Sequence, residues 1–103
     1  MKAVIFHDDA TAEFDAAIAY YENQERGLGL SFHLEVERAV KLIERHPQIG
    51  SPYKSTLFRK YVLGRFPHIV FYLESQDIIW IAAIAHSKRK PDSWTSRELK
   101  STE

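Results

Sequence analysis

The chain has 103 residues, 45% of them hydrophobic and 27% charged, an ordinary globular composition of a size for one domain with its own core. Its formal net charge is zero, yet residues 1–50 sum to −4 and residues 51–103 to +4, a split that points to an anionic partner for the second half. The lack of cysteine excludes disulfides and thiolate metal sites. No apolar run approaches the roughly 18 residues of a membrane span, and no signal-peptide pattern follows Lys2, so a cytoplasmic protein is expected.

In chain order, Ala3 to Phe6 is a short β-prone run. Asp8 or Asp9 is placed to cap a helix, where a carboxylate accepts orphan amide hydrogens at the positive end of the dipole. Ala10, Phe14, Ala17, Ile18 and Tyr21 make one apolar stripe, and Gly27 and Gly29 predict a turn that stops the helix near Arg26. A second helix is expected from about Leu30 to Arg45, with Phe32, Val36, Ala39, Val40 and Ile43 on its apolar face, ended by Pro47. The two helices form a hairpin.

Gln48 to Thr56 reads as a loop. Leu57 to Leu63 alternates as a strand, Gly64-Arg65 predicts a two-residue hairpin turn, and Phe66 to Glu74 and Asp77 to His86 are the next strands. The run Ile78 to Ala85 is unbroken and rich in Ile, which suits a strand buried on both faces. The fold expected is α+β, ordered β-α-α-β-β-β, with the helical hairpin on one face of a small, mainly antiparallel four-stranded sheet. The domain spans residues 1–97, and 98–103 form a polar, frayed tail.

Nothing in the five scattered histidines gives a helical zinc pair, and there is no P-loop, dinucleotide fingerprint or nucleophile elbow. No metal or cofactor is therefore assigned. The carboxylates of the first helix read as a solvated face. The basic residues carry more. Arg59 and Lys60 lie on one strand, Arg65 in its turn, and His86, Lys88, Arg89 and Lys90 just past the buried strand. Antiparallel pairing brings His86 near the Phe66 end of its neighbour, so Arg65 and the His86–Lys90 segment converge on one rim. Such a groove could hold a phosphodiester, with cations facing developing negative charge and His86 moving a proton. The bland alternative is that these cations solubilise a strand end. Trp80 belongs to the core. Trp94 is placed at the sheet edge, beneath the helices or beside the basic rim, with base stacking as the alternative.

The combination of Ala17-Ile18-Ala19-Tyr20-Tyr21-Glu22, Gly27-Leu28-Gly29, His46-Pro47, Arg59-Lys60, Arg65-Phe66-Pro67 and Ala85-His86-Ser87-Lys88-Arg89-Lys90-Pro91 with Trp94 resembles the RelE/ParE toxin superfamily, above all its ParE-like plasmid-stabilisation branch. The resemblance covers Ala3 to about Arg97. It implies the toxin half of a bacterial type II toxin–antitoxin pair, neutralised by a cognate antitoxin in a hetero-oligomer, with homodimers also open. ParE-like members inhibit DNA gyrase. RelE-like members are endoribonucleases that cut messenger RNA on the ribosome, using basic side chains and often a C-terminal tyrosine or histidine. No tyrosine follows Tyr72 here, which favours the gyrase reading. RNA cleavage is the alternative, with His86, Arg65 and Arg89 as its catalytic set. Arg59, Lys60, Lys88, Lys90 and Trp94 are the target-binding or anion-binding candidates under either reading. A relative that keeps only antitoxin binding is a third possibility, and apolar surface around Phe58, Val62 and the helical hairpin is where an antitoxin is expected.

Overall fold

A computed structural model of the chain describes residues 2–89 and 93–97. Strand β1 (Ala3–Phe6) leads into helices α1 (Asp8–Gln24) and α2 (Leu28–Arg45), then β2 (Ser51–Pro52), β3 (Arg59–Val62), β4 (His68–Glu74) and β5 (Ile78–His86). The strands form one sheet in the order β1-β5-β4-β3-β2. Only β1 runs parallel to its neighbour, β5. The expected α+β arrangement is present, with five strands rather than four. The extra one is the two-residue β2, inside the stretch read as a loop, which pairs Ser51 and Pro52 with Lys60 and Arg59. Pro52 is tolerated there because the strand lies at the sheet edge.

Strand β5 is the buried spine. It sits between β1 and β4, and every residue from Ile79 to Ala85 is buried. Its helix side carries Ile79, Ile81 and Ile84, packed with Phe32, Val36, Ile43 and Tyr72. The far side carries Trp80, Ala82, Ala83 and Ala85, packed with Tyr53, Phe71 and Trp94. Two successive alanines on one side break the alternation. Phe71 pairs with Ala83 but Tyr72 with Ile81, so Ala82 is the extra residue of a bulge. Such a residue shifts the later side chains by one position. Here it brings Ile84 and His86 to the helix side.

Local chemistry differs from expectation at three turns. The cap of α1 is His7, whose Nδ1 accepts from the Asp9 amide at 2.9 Å. Asp8 and Asp9 lie in the first turn instead, where their charge still faces the dipole. Between the helices, Gly27 takes φ 88°, and α2 starts at Leu28, two residues earlier than expected. Glu22 reaches across to accept from the amides of Gly27 and Gly29, both at 3.0 Å. The β3–β4 hairpin does not close through Gly64-Arg65. Leu63 N–H bonds to His68 C=O at 3.0 Å, leaving four residues, Gly64 to Pro67, in the loop. Pro67 has no N–H to give a ladder, and it sits at the centre of a three-residue turn in which His68 N–H bonds to Phe66 C=O at 2.8 Å. Phe66 is thereby tucked into the core against Tyr21 and Phe32, with ring centroids 5.0 and 5.1 Å away.

At Gly29 the two helices approach closely. A Cβ there would meet the Ile18 carbonyl oxygen at 2.7 Å and the Glu22 Cβ at 2.9 Å. Gly29→Ala is expected to destabilise the protein by about 1–3 kcal/mol despite alanine's better helix propensity, read as a lowered urea midpoint. An unchanged or raised midpoint would contradict this packing.

Candidate functional site: a cationic lip at the His86 end of the sheet

Opposite positions in the β4–β5 ladder place His68 across from His86. The β3–β4 loop containing Arg65 lies at the same end of the sheet, and the Ser87 amide bonds to the Pro67 carbonyl at 2.8 Å. Beyond His86 the chain turns sharply: Arg89 N–H bonds to His86 C=O at 2.9 Å, and Lys88 N–H donates to His86 Nδ1 at 3.0 Å. That second bond fixes the neutral imidazole, because Nδ1 is the acceptor and the hydrogen sits on Nε2. His86 therefore offers its surroundings a donor.

The two imidazoles differ in environment. His86 is exposed, whereas His68 is 7% exposed, enclosed by the rings of Tyr21, Phe32 and His86. Burial first, and the neighbouring His86 second, push its pKa down to about 4. The neutral form is the folded one. Stability is complete above the ordinary value of 6.5 and declines as pH falls from there toward 4, because only the unfolded chain takes up the proton. At about 1.4 kcal/mol per unit the loss reaches about 3 kcal/mol. Urea titrations at pH 7 and pH 4.5 should show it, and His68→Leu should remove most of the difference. An undiminished pH dependence in that variant would contradict the assignment.

Cleft residues Ala16, Ala17, Tyr20 and Tyr21 of α1 face His68, His86 and Pro67 across a space of about 560 Å³. The Tyr21 hydroxyl is 3.5 Å from His68 Nδ1. Burial raises the Tyr21 pKa, with Tyr20 adding to the shift, so the phenol stays protonated near neutral pH.

The basic residues named as candidates divide into groups. Arg65 and Lys88 are exposed and make no ion pair among the described residues. Arg65 lies over the Phe66 ring at 5.7 Å. Arg89 is committed: its guanidinium is 2.5 Å from Glu13 Oε2. Arg59 does not reach this rim. It pairs with Tyr72, at the opposite end of β4, and donates to the Gly50 carbonyl at 2.7 Å. Lys60, opposite Phe71, is also removed from the lip. Lys90 lies outside the described residues. Trp94 is 2% exposed and presents no face for stacking a base. It is neither beneath the helices nor beside the rim, but on the far side of the sheet, with ring centroids 4.4 Å from Phe71, 4.9 Å from Phe58 and 5.5 Å from Tyr53. The lip is thus Arg65, His86 and Lys88.

Glu13, read from the sequence as part of a solvated face, organises the margin of this lip. Strand β1 ends at Phe6, paired with Ile81, and leaves the next stretch of the β5 edge without a strand. Glu13 Oε1 accepts from the Ile84 amide at 3.0 Å, and Arg97 donates to the Ala82 carbonyl at 2.8 Å. Arg97 also holds Glu13 Oε2 at 2.6 Å. Burial alone would raise the Glu13 pKa, but the hydrogen bonds from Arg97, Arg89 and Ile84 outweigh it and hold the carboxyl below its ordinary range. The same clasp satisfies the bulge that aims His86 and fastens the 93–97 turn.

Among the described residues no three histidine, aspartate or glutamate side chains are grouped to hold a metal ion, and no helix is long and apolar enough to cross a membrane. The sequence model of the family described as ParE toxin of type II toxin-antitoxin system, parDE, matches residues 4–91. The chain belongs to the ParE toxin family. The fold is also similar to a solved structure described as the chromosomal ParDE TA system from P. aeruginosa, with TM-score 0.63, 20% identity, and coverage of 84% of this chain and 96% of that one. No curated protein sequence matches it. The match to the ParE family takes in both helices, strands β2 to β5, β1 from Val4 onward and the three lip residues.

Proposed function

We propose that this ParE-family chain is the toxin of a type II toxin–antitoxin pair, that it acts by inhibiting DNA gyrase, and that a cognate antitoxin neutralises it. The observation that carries the reading is a family match extending over residues 4–91, on a fold whose Arg65 and Lys88 are exposed at one margin and make no ion pair among the described residues. An exposed cationic lip suits docking to an acidic protein surface or to protein-bound DNA, where it would speed encounter and fix register.

Exposed apolar residues support the antitoxin. Leu30 and Leu34 are 61% and 47% exposed on α2, Val62 is 58% and Leu57 84% exposed near the β3 edge. Phe58, expected in this patch, is half-buried against Trp80 and Trp94 and contributes less. An amphipathic helix on α2, or a strand added along Tyr61 and Val62 where β2 leaves β3 unpaired, would cover the rest.

RNA cleavage, the alternative, needs a base beside the attacking hydroxyl. His86 Nε2 carries the hydrogen in the neutral ring, which favours charge stabilisation over proton abstraction. The test is a supercoiling assay. Purified chain should inhibit gyrase in a dose-dependent way, and the co-purified antitoxin complex should not. No inhibition at saturating protein, with messages cut at ribosome-occupied codons in a translation extract, would move the assignment to the RNA reading.

A further inference from the structure

The β4–β5 ladder ends at the His68–His86 pair, so the chain after His86 has no strand beside it. The turn from His86 to Arg89 is exposed throughout, yet it is tied at both ends. On one side the Ser87 amide donates to the Pro67 carbonyl at 2.8 Å, which links the turn to the loop carrying Arg65. On the other the Arg89 guanidinium donates to Glu13 Oε2 at 2.5 Å, which links it to α1. His86 and Lys88 stand between these ties, joined by the bond from Lys88 N–H to His86 Nδ1 at 3.0 Å.

Glu13 is an anchor that does not depend on Arg89. Its Oε1 accepts from the Ile84 amide at 3.0 Å and from Arg97 at 3.2 Å, and Arg97 also holds Oε2 at 2.6 Å. Those three bonds come from β5 and from the 93–97 turn, so they set where the carboxylate lies. Arg89 then adds a second guanidinium to a carboxylate that already has one. With its side chain 36% exposed, such a pair adds little to stability. What it does fix is the path of the turn.

We propose that Arg89 is a positioning residue for target engagement: its tie to Glu13 holds Lys88 and His86 outward beside Arg65, and its own cation does not meet the target. The basic run taken alone suggests the opposite, that Arg89 is one more cation in contact with the target. A turn ordered in advance gives up no freedom at the moment of binding, which favours the complex. The inference rests on the gyrase reading for its activity measurement only.

The test compares Arg89→Met with Lys88→Ala in the full chain. Arg89→Met keeps an unbranched stem, removes the charge and leaves the Glu13–Arg97 pair in place, so its urea midpoint should match the parent's. Nitrogen-15 relaxation should show the backbone order parameters of Ser87 and Lys88 falling from about 0.85 to below about 0.6. In the supercoiling assay this variant should need roughly three- to tenfold more protein for half-inhibition, the penalty for ordering the turn on binding. Its inhibition should depend on salt as steeply as the parent's. Lys88→Ala removes a cation that does meet the target, so it should flatten the salt dependence while Ser87 stays ordered. The proposal is overturned by parent-like order at Ser87 and Lys88 in Arg89→Met, by a flattened salt dependence in that variant, by parent-like potency with the turn mobile, or by a collapsed urea midpoint. A parent chain that leaves supercoiling untouched overturns the target reading instead, and the order parameters then decide whether Arg89 holds the turn.

Discussion

Replacement of Glu13 by alanine is expected to lower the unfolding free energy by about 3–5 kcal/mol, the range for removing one partner of a buried ion pair. The Arg97 side chain is 11% exposed and that of Glu13 16%, so neither charge has bulk water to fall back on. The variant strips the counter-ion from Arg97 and Arg89 and the acceptor from Ile84 N–H in one step. The 93–97 turn should detach first, seen as faster amide exchange there and a red shift in tryptophan emission as Trp94 meets water. Glu13→Gln keeps an acceptor for the amide and should recover only part of the loss. Acid should mimic the substitution. A carboxyl held below its unfolded pKa contributes stability that is complete above that unfolded value, and the contribution disappears as pH falls through the folded one. Parent-like stability and exchange in Glu13→Ala would show that the carboxylate is a surface charge.

The second large effect is on the other side of the sheet. Trp94→Ala removes the ring that closes the box of Tyr53, Phe58 and Phe71, and should cost about 3–5 kcal/mol, as for other buried aromatic truncations. Set against the roughly 5–15 kcal/mol that holds a domain of this size together, this brings the protein close to unfolding at 37 °C. Trp94→Phe should retain over half the stability. The comparison separates packing from recognition: were Trp94 a stacking platform for a partner, its loss would reduce binding while leaving the urea midpoint unchanged.

Periodicity was enough to read the helices and the spine strand, because both signals survive averaging over many residues. The stripe Phe32, Val36, Ala39, Ile43 is buried throughout, and the apolar run from Ile79 is buried on both sides of the sheet. Single-residue devices were not legible. His7 caps α1 through a ring nitrogen, a rarer solution than the two aspartates beside it. The two-residue β2 is too short to show alternation. The bulge at Ala82 sits in a run of small apolar residues where one extra alanine leaves no trace in pattern, yet it decides which way His86 faces.

The site was half visible for the same reason. Arg65, His86 and Lys88 cluster because antiparallel pairing forces adjacent ends together, and that follows from strand order alone. Commitment of Arg89 to Glu13 could not be foreseen, since the partners are separated by 76 positions. One hint existed: Glu13 follows Ala10 by three residues and precedes Phe14 and Ala17, at the border of the buried stripe. His68 alternates with Val70 and Tyr72 on β4, which marks it as inward-facing and therefore neutral.

The most direct measurement is inhibition of gyrase supercoiling by the Arg65→Ala, Lys88→Ala double variant. Lys60→Ala serves as the control, because that cation lies away from the lip. With antitoxin binding and thermal stability matching the parent, the double variant should need at least about tenfold more protein for half-inhibition, and the control should behave as the parent does, if each lost charge contact is worth on the order of 1 kcal/mol. Equal potency of the double variant and the parent would contradict the claim that this margin of the sheet engages the target.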